Sequence, residues 1–209
     1  MQDAAAALPA RLLGDVCGKT IVDLGAAPGG KTAQLAAAGA RVIAVERNPQ
    51  RAVVLRQNLA RLKLTAEVVV ADAGVWRPDG PVDGVLLDAP CTATGTLRRH
   101  PEIAWLKDRL DVQKLAAAQA ALLRHVVEWL PGGAPLVYAV CSLQPEESEA
   151  QIEALLAQNP VLARVPLTAA DVGGWGEALT PVGDLRTLPS HWAKRGGMDG
   201  FYAARLRKG

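Results

Sequence analysis

A short apolar run, Thr20–Leu24 (TIVDL), passes directly into a turn of small residues, Gly25–Gly30 (GAAPGG), and then into a segment of helical character from about Lys31 to Ala38. No other feature constrains the fold as strongly. A strand that feeds a glycine-rich turn and a helix opens a parallel sheet, because the helix must carry the chain back before the next strand can pair in the same direction. The alternation continues down the chain. Arg41–Glu46 (RVIAVE) reads as a second strand, and Asn48 and Pro49 cap and open a helix to about Leu62. Glu67–Ala71 and Val82–Asp88 read as strands three and four, and Pro135–Val140 as strand five. Between the last two lie a polar loop to about Lys107 and a helix over Asp108–Leu130, whose Leu110, Leu115, Ala118, Leu122, Val126 and Trp129 keep helical spacing. An Ala-rich helix over Gln2–Leu13, a helix over Glu146–Gln158 and a last strand at Gly200–Leu206 complete the pattern. The expected fold is α/β, a doubly wound, mostly parallel, seven-stranded sheet of Rossmann-like type. With 209 residues, half of them hydrophobic, the chain suits one domain.

Charge excludes little. Lys and Arg number 23 against 21 Asp and Glu, so a nucleic-acid partner would have to be met by local positive charge. The sequence has no long apolar run free of charge and proline and no secretory leader, which points away from membranes. Cys17, Cys91 and Cys141 form no CxxC pair. That argues against a zinc site and a disulfide framework, and a reducing cytoplasm is the expected setting.

In a sheet of this kind, ligands bind at the carboxyl ends of the strands. The turn Gly25, Ala26, Ala27, Pro28, Gly29, Gly30 and Lys31 lets backbone approach a ligand closely, yet it matches neither GxGxxG nor GxxxxGK[ST]. Glu46, at the end of strand two, is placed to accept bonds from ribose hydroxyls, and Asp72, after strand three, to reach an adenine amino group. Each acid alone could simply cap a loop; together they indicate a nucleoside pocket. Strand four ends in Asp88-Ala89-Pro90-Cys91 and strand five in Val140-Cys141-Ser142. Neighbouring strands would bring Asp88 and two thiols together beside that pocket. A thiol next to a methyl donor suits the methylation of cytosine carbon 5, because addition of a thiolate to carbon 6 makes carbon 5 nucleophilic. Asp88 would stabilise charge developing at ring nitrogen 3. Connectivity alone does not say which cysteine attacks. Cys17 reads as a small buried hydrophobe.

The chain resembles the RNA 5-methylcytosine methyltransferases of the Fmu/Sun group, in particular the bacterial 16S rRNA type. The resemblance spans QDAAAALPARLL, DLGAAPGGKT, VERN with Arg51, the ADA at 71–73, DAPCTATGTLRRHPEI, VYAVCSLQPEES and MDGFYAARL. It implies a class I fold that uses S-adenosyl-L-methionine, with Cys141 as nucleophile, Cys91 assisting product release, and Asp88 and Lys31 at the cytosine edge. Gly25 to Lys31, Glu46, Arg51, Asp72 and Asp88 would line the cofactor pocket. Arg98, Arg99 and His100 would lie near RNA phosphate. RNA, most naturally rRNA, is the implied partner of a monomeric enzyme without metal. The family usually has Cys where Gly25 stands and Thr where Val140 stands; a small residue at 25 is expected to suffice. Family members commonly carry an N-terminal RNA-binding region, which this chain is expected to lack. Three other readings compete: a nucleotide-dependent oxidoreductase, a noncatalytic RNA-binding or assembly factor that keeps the pocket, and an enzyme acting on tRNA or DNA. Trp105 is a candidate for base stacking, Trp129 and His125 for structural roles, and His191 for a flap at Leu188–Gly197.

Overall fold

The structure, a computed structural model, describes residues 2–209. Eight strands form one sheet: β1 (Thr20–Leu24), β2 (Arg41–Glu46), β3 (Glu67–Val70), β4 (Gly84–Asp88), β5 (Pro135–Val140), β6 (Leu162–Arg164), β7 (Leu185–Thr187) and β8 (Phe201–Lys208). The order is β3-β2-β1-β4-β5-β8-β6, with β7 also pairing β8. The first five strands pair in parallel, while β8 runs antiparallel to β5, β6 and β7. The chain winds outward from β1 in both directions, so the crevice between β1 and β4 is where such a sheet takes its ligand.

Strand alternation divides the core in two. Ile21, Leu86 and Val137 face one side with Leu12, Leu35 and Leu55. Val22, Val85, Leu87 and Tyr138 face the other with Leu123, Val126 and Ile152. The first side is covered by α1 (Leu8–Arg11), α2 (Gly30–Ala37) and α3 (Pro49–Leu62), the second by α5 (Arg109–Trp129) and α6 (Glu149–Gln158). A further short helix, α4 (Ile103–Leu106), lies in the loop after β4 and buries none of its residues.

Local chemistry explains most of the boundaries. Asn48 accepts from the backbone of Gln50 and Arg51 and opens α3, with Pro49 in its first turn. Asp108 and Asp111 form a reciprocal capping box for α5. Three expectations are corrected. The helix over Gln2–Leu13 breaks into a 3-10 turn at Ala5–Ala7 and the short α1, because Pro9 has no N–H with which to continue the turn. The helix expected from Glu146 starts at Glu149, since Pro145–Glu147 form a 3-10 turn that directs Glu147 into the interior. The sheet expected to have seven strands has eight, because β6 and β7, of three residues each and not legible in the sequence, both pair with the outer edge of β8.

Leu123 is fully buried, whereas Asp108 acts only through its cap. In urea unfolding, Leu123→Ala should cost about 2–5 kcal/mol. Asp108→Ala should cost about 1 kcal/mol. Equal losses would contradict the assignment of core and cap.

Candidate active site

Strands β4 and β5 lie side by side with Asp88 opposite Ala139, and their pairing continues one step further through Ala89 N–H to Ala139 O at 2.9 Å. The two chains then diverge into separate loops, and the cysteines stand where they part. Cys91 Sγ and Cys141 Sγ are 3.4 Å apart. A disulfide would need about 2.05 Å, so both thiols are free. Their mutual hydrogen bond, reinforced by burial, pushes the Cys91 thiol well above its ordinary range. The Cys91 loop is locked to the rest of the site at Gly95. Its N–H donates to Cys141 O at 2.9 Å, its carbonyl accepts from Gly200 N at 2.7 Å, and a Cβ there would come within 2.0 Å of Gly200 O.

Beside the thiols, Lys31 reaches out of the first turn of α2 to Asp88, Nζ to Oδ2 at 2.8 Å, with the Phe201 ring 5.1 Å beneath it. Burial works against the Lys31 charge, but the charge of Asp88 and the hydrogen bond to it prevail and leave its pKa raised. Below this pair Asp23 is fully enclosed. Burial lifts Asp23 to about 7, against the hydrogen bond it accepts from Thr32 Oγ1 at 2.6 Å.

A cavity of about 290 Å³ opens from the thiols across the strand ends, lined by Gly25, Ala27, Glu46, Arg51, Asp72, Asp88, Cys91 and Cys141 among others. Glu46 is buried; it accepts from Asn48 N at 2.8 Å and lies 3.6 Å from Arg51 Nη1. Arg51 also donates to Ala27 O at 2.7 Å, which ties α3 to the turn. Asp72 is exposed and accepts from Gly74 N at 2.8 Å. Ala26, Pro28, Gly29 and Gly30 do not line the cavity, and Lys31 reaches it only through Asp88. The turn is more demanding than expected. Gly25 has φ +79°, and a Cβ there would lie 2.3 Å from Asp88 O, so in this chain smallness does not suffice: the position takes no side chain.

Arg98 and Arg99 converge on Asp199, which is fully buried, and Arg98 also pairs with Asp3 at 2.8 Å. His100 pairs locally with Glu102 at 3.1 Å. The two arginines therefore fasten the Cys91 loop to the segment that leads into β8, and Arg98 also to the N-terminal segment, while His100 stays within its own loop. Trp105 stands 90% exposed on α4. His125 bonds Trp76 O at 2.8 Å, and Trp129 packs edge-on to Trp76, both structural as expected. His191 packs against Trp175, which also contacts Trp192. Cys17 is exposed, which corrects its reading as buried: it lies in the turn before β1, outside both cores. Sequence reasoning missed Asp23, Glu147, Arg186 and Asp199. Asp23, Glu147 and Asp199 stood inside DLGAAPGGKT, VYAVCSLQPEES and MDGFYAARL, while Arg186 carried no signal. No group of three or more His, Cys, Asp or Glu among the described residues could hold a metal, and no helix is long and apolar enough to cross a membrane.

Fold and site together define a class I, S-adenosylmethionine-dependent methyltransferase. A family model described as "16S rRNA methyltransferase RsmB/F" matches residues 10–207, and the chain belongs to that family. It is 41% identical to ribosomal RNA small subunit methyltransferase B of Cronobacter sakazakii over 213 residues, covering 100% of this chain and 46% of the relative. It is 46% identical to the protein of the same name from Sodalis glossinidius, with the same coverage. The chain thus spans about half the length of these curated relatives. Among solved structures, PH0851 superposes with a TM-score of 0.88 at 30% identity, over 100% of this chain and 46% of that one. NSun6 from Pyrococcus horikoshii, determined with SFG, gives 0.83 at 26%, over 99% and 52%.

Asp23 should leave a signature in stability. Below its ordinary value of 3.8 the folded and unfolded states both carry the proton. Between 3.8 and about 7 only the folded state does, so stability falls as pH rises through that window and levels off above it. Asp23→Asn should flatten this fall in urea titrations taken across the window. An unchanged slope would show that Asp23 is ionised in the fold.

Proposed function

We propose that the chain is the catalytic unit of an RNA (cytosine-5-)-methyltransferase that acts on rRNA through a covalent cysteine–cytosine adduct. The observation that carries this reading is the 3.4 Å approach of two free thiols at one end of a cavity suited to a nucleoside cofactor. A methyltransferase acting on a nucleophilic nitrogen or oxygen has no use for such a pair; a base whose carbon must first be activated does.

S-adenosyl-L-methionine, when bound, supplies an electrophilic methyl group. The pocket fits it: Gly25 leaves bare backbone at the strand end, Glu46 is a buried acid for the ribose hydroxyls, and Asp72 is free at its outer oxygen for the adenine. The cysteines, with Asp88 and Lys31, close the other end of the cavity. The target cytosine leaves its stack to enter there. The Cys141 sulfur bonds to carbon 6, and the ring π pair moves to carbon 5, with charge developing at nitrogen 3. Asp88 takes a proton from the Lys31 ammonium bonded to it and passes it to nitrogen 3, so that the developing charge is neutralised. Carbon 5 takes the methyl group. Nitrogen 3 then returns its proton to the Lys31–Asp88 pair. The carbon 5 proton passes to solvent, and its electron pair restores the ring double bond and expels the Cys141 thiolate, to which the Cys91 thiol donates a hydrogen bond. RNA lies over the rim, where Arg98, Arg99 and His100 meet phosphate and Trp105 offers a stacking face. Pairing with Asp199 fixes the direction of the two guanidinium groups and leaves their outer edges exposed.

The test uses the full-length protein, labelled S-adenosylmethionine and ribosomal RNA. Cys141→Ala should lose at least about a thousandfold in methyl transfer and form no adduct. Cys91→Ala should accumulate a protein–RNA complex that survives denaturation. Normal methylation by Cys141→Ala would refute the nucleophile, and no transfer to RNA by the wild type would favour the noncatalytic reading.

A further inference from the structure

Glu147 is fully buried behind the thiols and belongs to no step described above. Its Oε1 accepts from Thr92 N at 2.9 Å and from Gln119 Nε2 at 3.1 Å. Its Oε2 accepts from Thr92 Oγ1 and from Ser142 Oγ, the latter at 2.6 Å. Thr92 follows Cys91 directly, and Ser142 follows Cys141. One carboxylate therefore holds both cysteine loops by the residue next to each sulfur. Its own backbone is fixed as well, since Tyr138 OH, from β5, donates to Glu147 O at 2.7 Å.

The side-chain donors to this carboxylate are all neutral, and no Lys, Arg or His among the described residues pairs with it. Arg186, from β7, bonds Ser142 O at 3.1 Å, but its charge is matched by Glu149 at 2.7 Å. No such cation is set against this carboxylate, and any charge on it adds, as the last of the causes, to the hydrogen bond and burial that raise Cys91 and to the burial that raises Tyr138.

We propose that Glu147 is the positioning residue of the two-thiol site, setting the spacing of the sulfurs by holding the residue next to each and keeping Cys91 in its thiol form. A carboxylate fits this task better than an amide, because four donors converge on it and an amide would turn an N–H₂ toward some of them. The inference rests on the reading of these cysteines as the reacting pair, and it gives the pair an order that connectivity lacks.

Site-resolved alkylation with iodoacetamide across pH tests it, with the exposed Cys17 as internal reference. In the wild type Cys91 should need a higher pH than the exposed Cys17 to react; alkylation of Cys91 at or below the pH of Cys17 overturns the proposal without any variant. Glu147→Gln should lower the Cys91 midpoint. It should also cut kcat by about tenfold or more with KM for S-adenosylmethionine unchanged. Thr92→Val keeps the anion but removes one hydroxyl, so it should slow transfer and leave the Cys91 midpoint in place. A fixed midpoint in Glu147→Gln, or an equal shift in Thr92→Val, refutes the electrostatic role. If the alkylation order holds while the methyl group is found elsewhere than on cytosine carbon 5, the proposed reaction fails and the role of Glu147 stands.

Discussion

The parallel pairing of β4 with β5 is the constraint on which the rest of the site depends. Both strands are buried on both faces, and their hydrogen bonds hold Asp88 opposite Ala139. A slip of one residue would exchange the faces of Leu86 and Leu87, and with them the two cores. Apolar packing thereby enforces the register, and the register places Cys91 and Cys141 at a single point of divergence. The antiparallel β8 completes the arrangement on the far side of β5, bringing Phe201 under Lys31 and Gly200 against Gly95.

The charges around this point are graded. Asp23, Asp88 and Glu147 lie on the protein side, with Lys31 the cation bonded to Asp88. Arg98 and Arg99 stand at the rim, anchored on Asp199. Buried acids resist ionisation unless donors surround them. Glu147 is surrounded by donors, while Asp23 has one oxygen without a partner and is lifted to about 7. Glu147 receives hydrogen bonds from both cysteine loops, and Asp23 only from Thr32.

Long elements with regular pattern were legible in the chain. β1, β2 and β5 fall on the expected residues, as does α3 with its Asn48 cap, because apolar alternation and capping act over a few neighbouring positions. The three-residue β6 and β7 were not, since pairing to β8 makes them strands and no local preference does. Of the site, Glu46, Asp72, Asp88, Cys91 and Cys141 were legible because each stands at a strand end, and the cavity unites them. Cys17 was misplaced because the burial of a lone cysteine depends on what packs over it.

By itself the sequence determined the order of strands and helices, the glycine-rich turn and the strand-end positions of the two cysteines, since these follow from short-range periodicity and connectivity. Only the tertiary structure decided that Gly25 can bear no side chain, that Arg98 and Arg99 hang from a buried Asp199, and that Glu147 holds both cysteine loops. Each of these joins residues distant in the chain — Gly25 to Asp88, Arg99 to Asp199, Glu147 to Thr92 — and such contacts come into being only when the sheet closes and its loops are buried together.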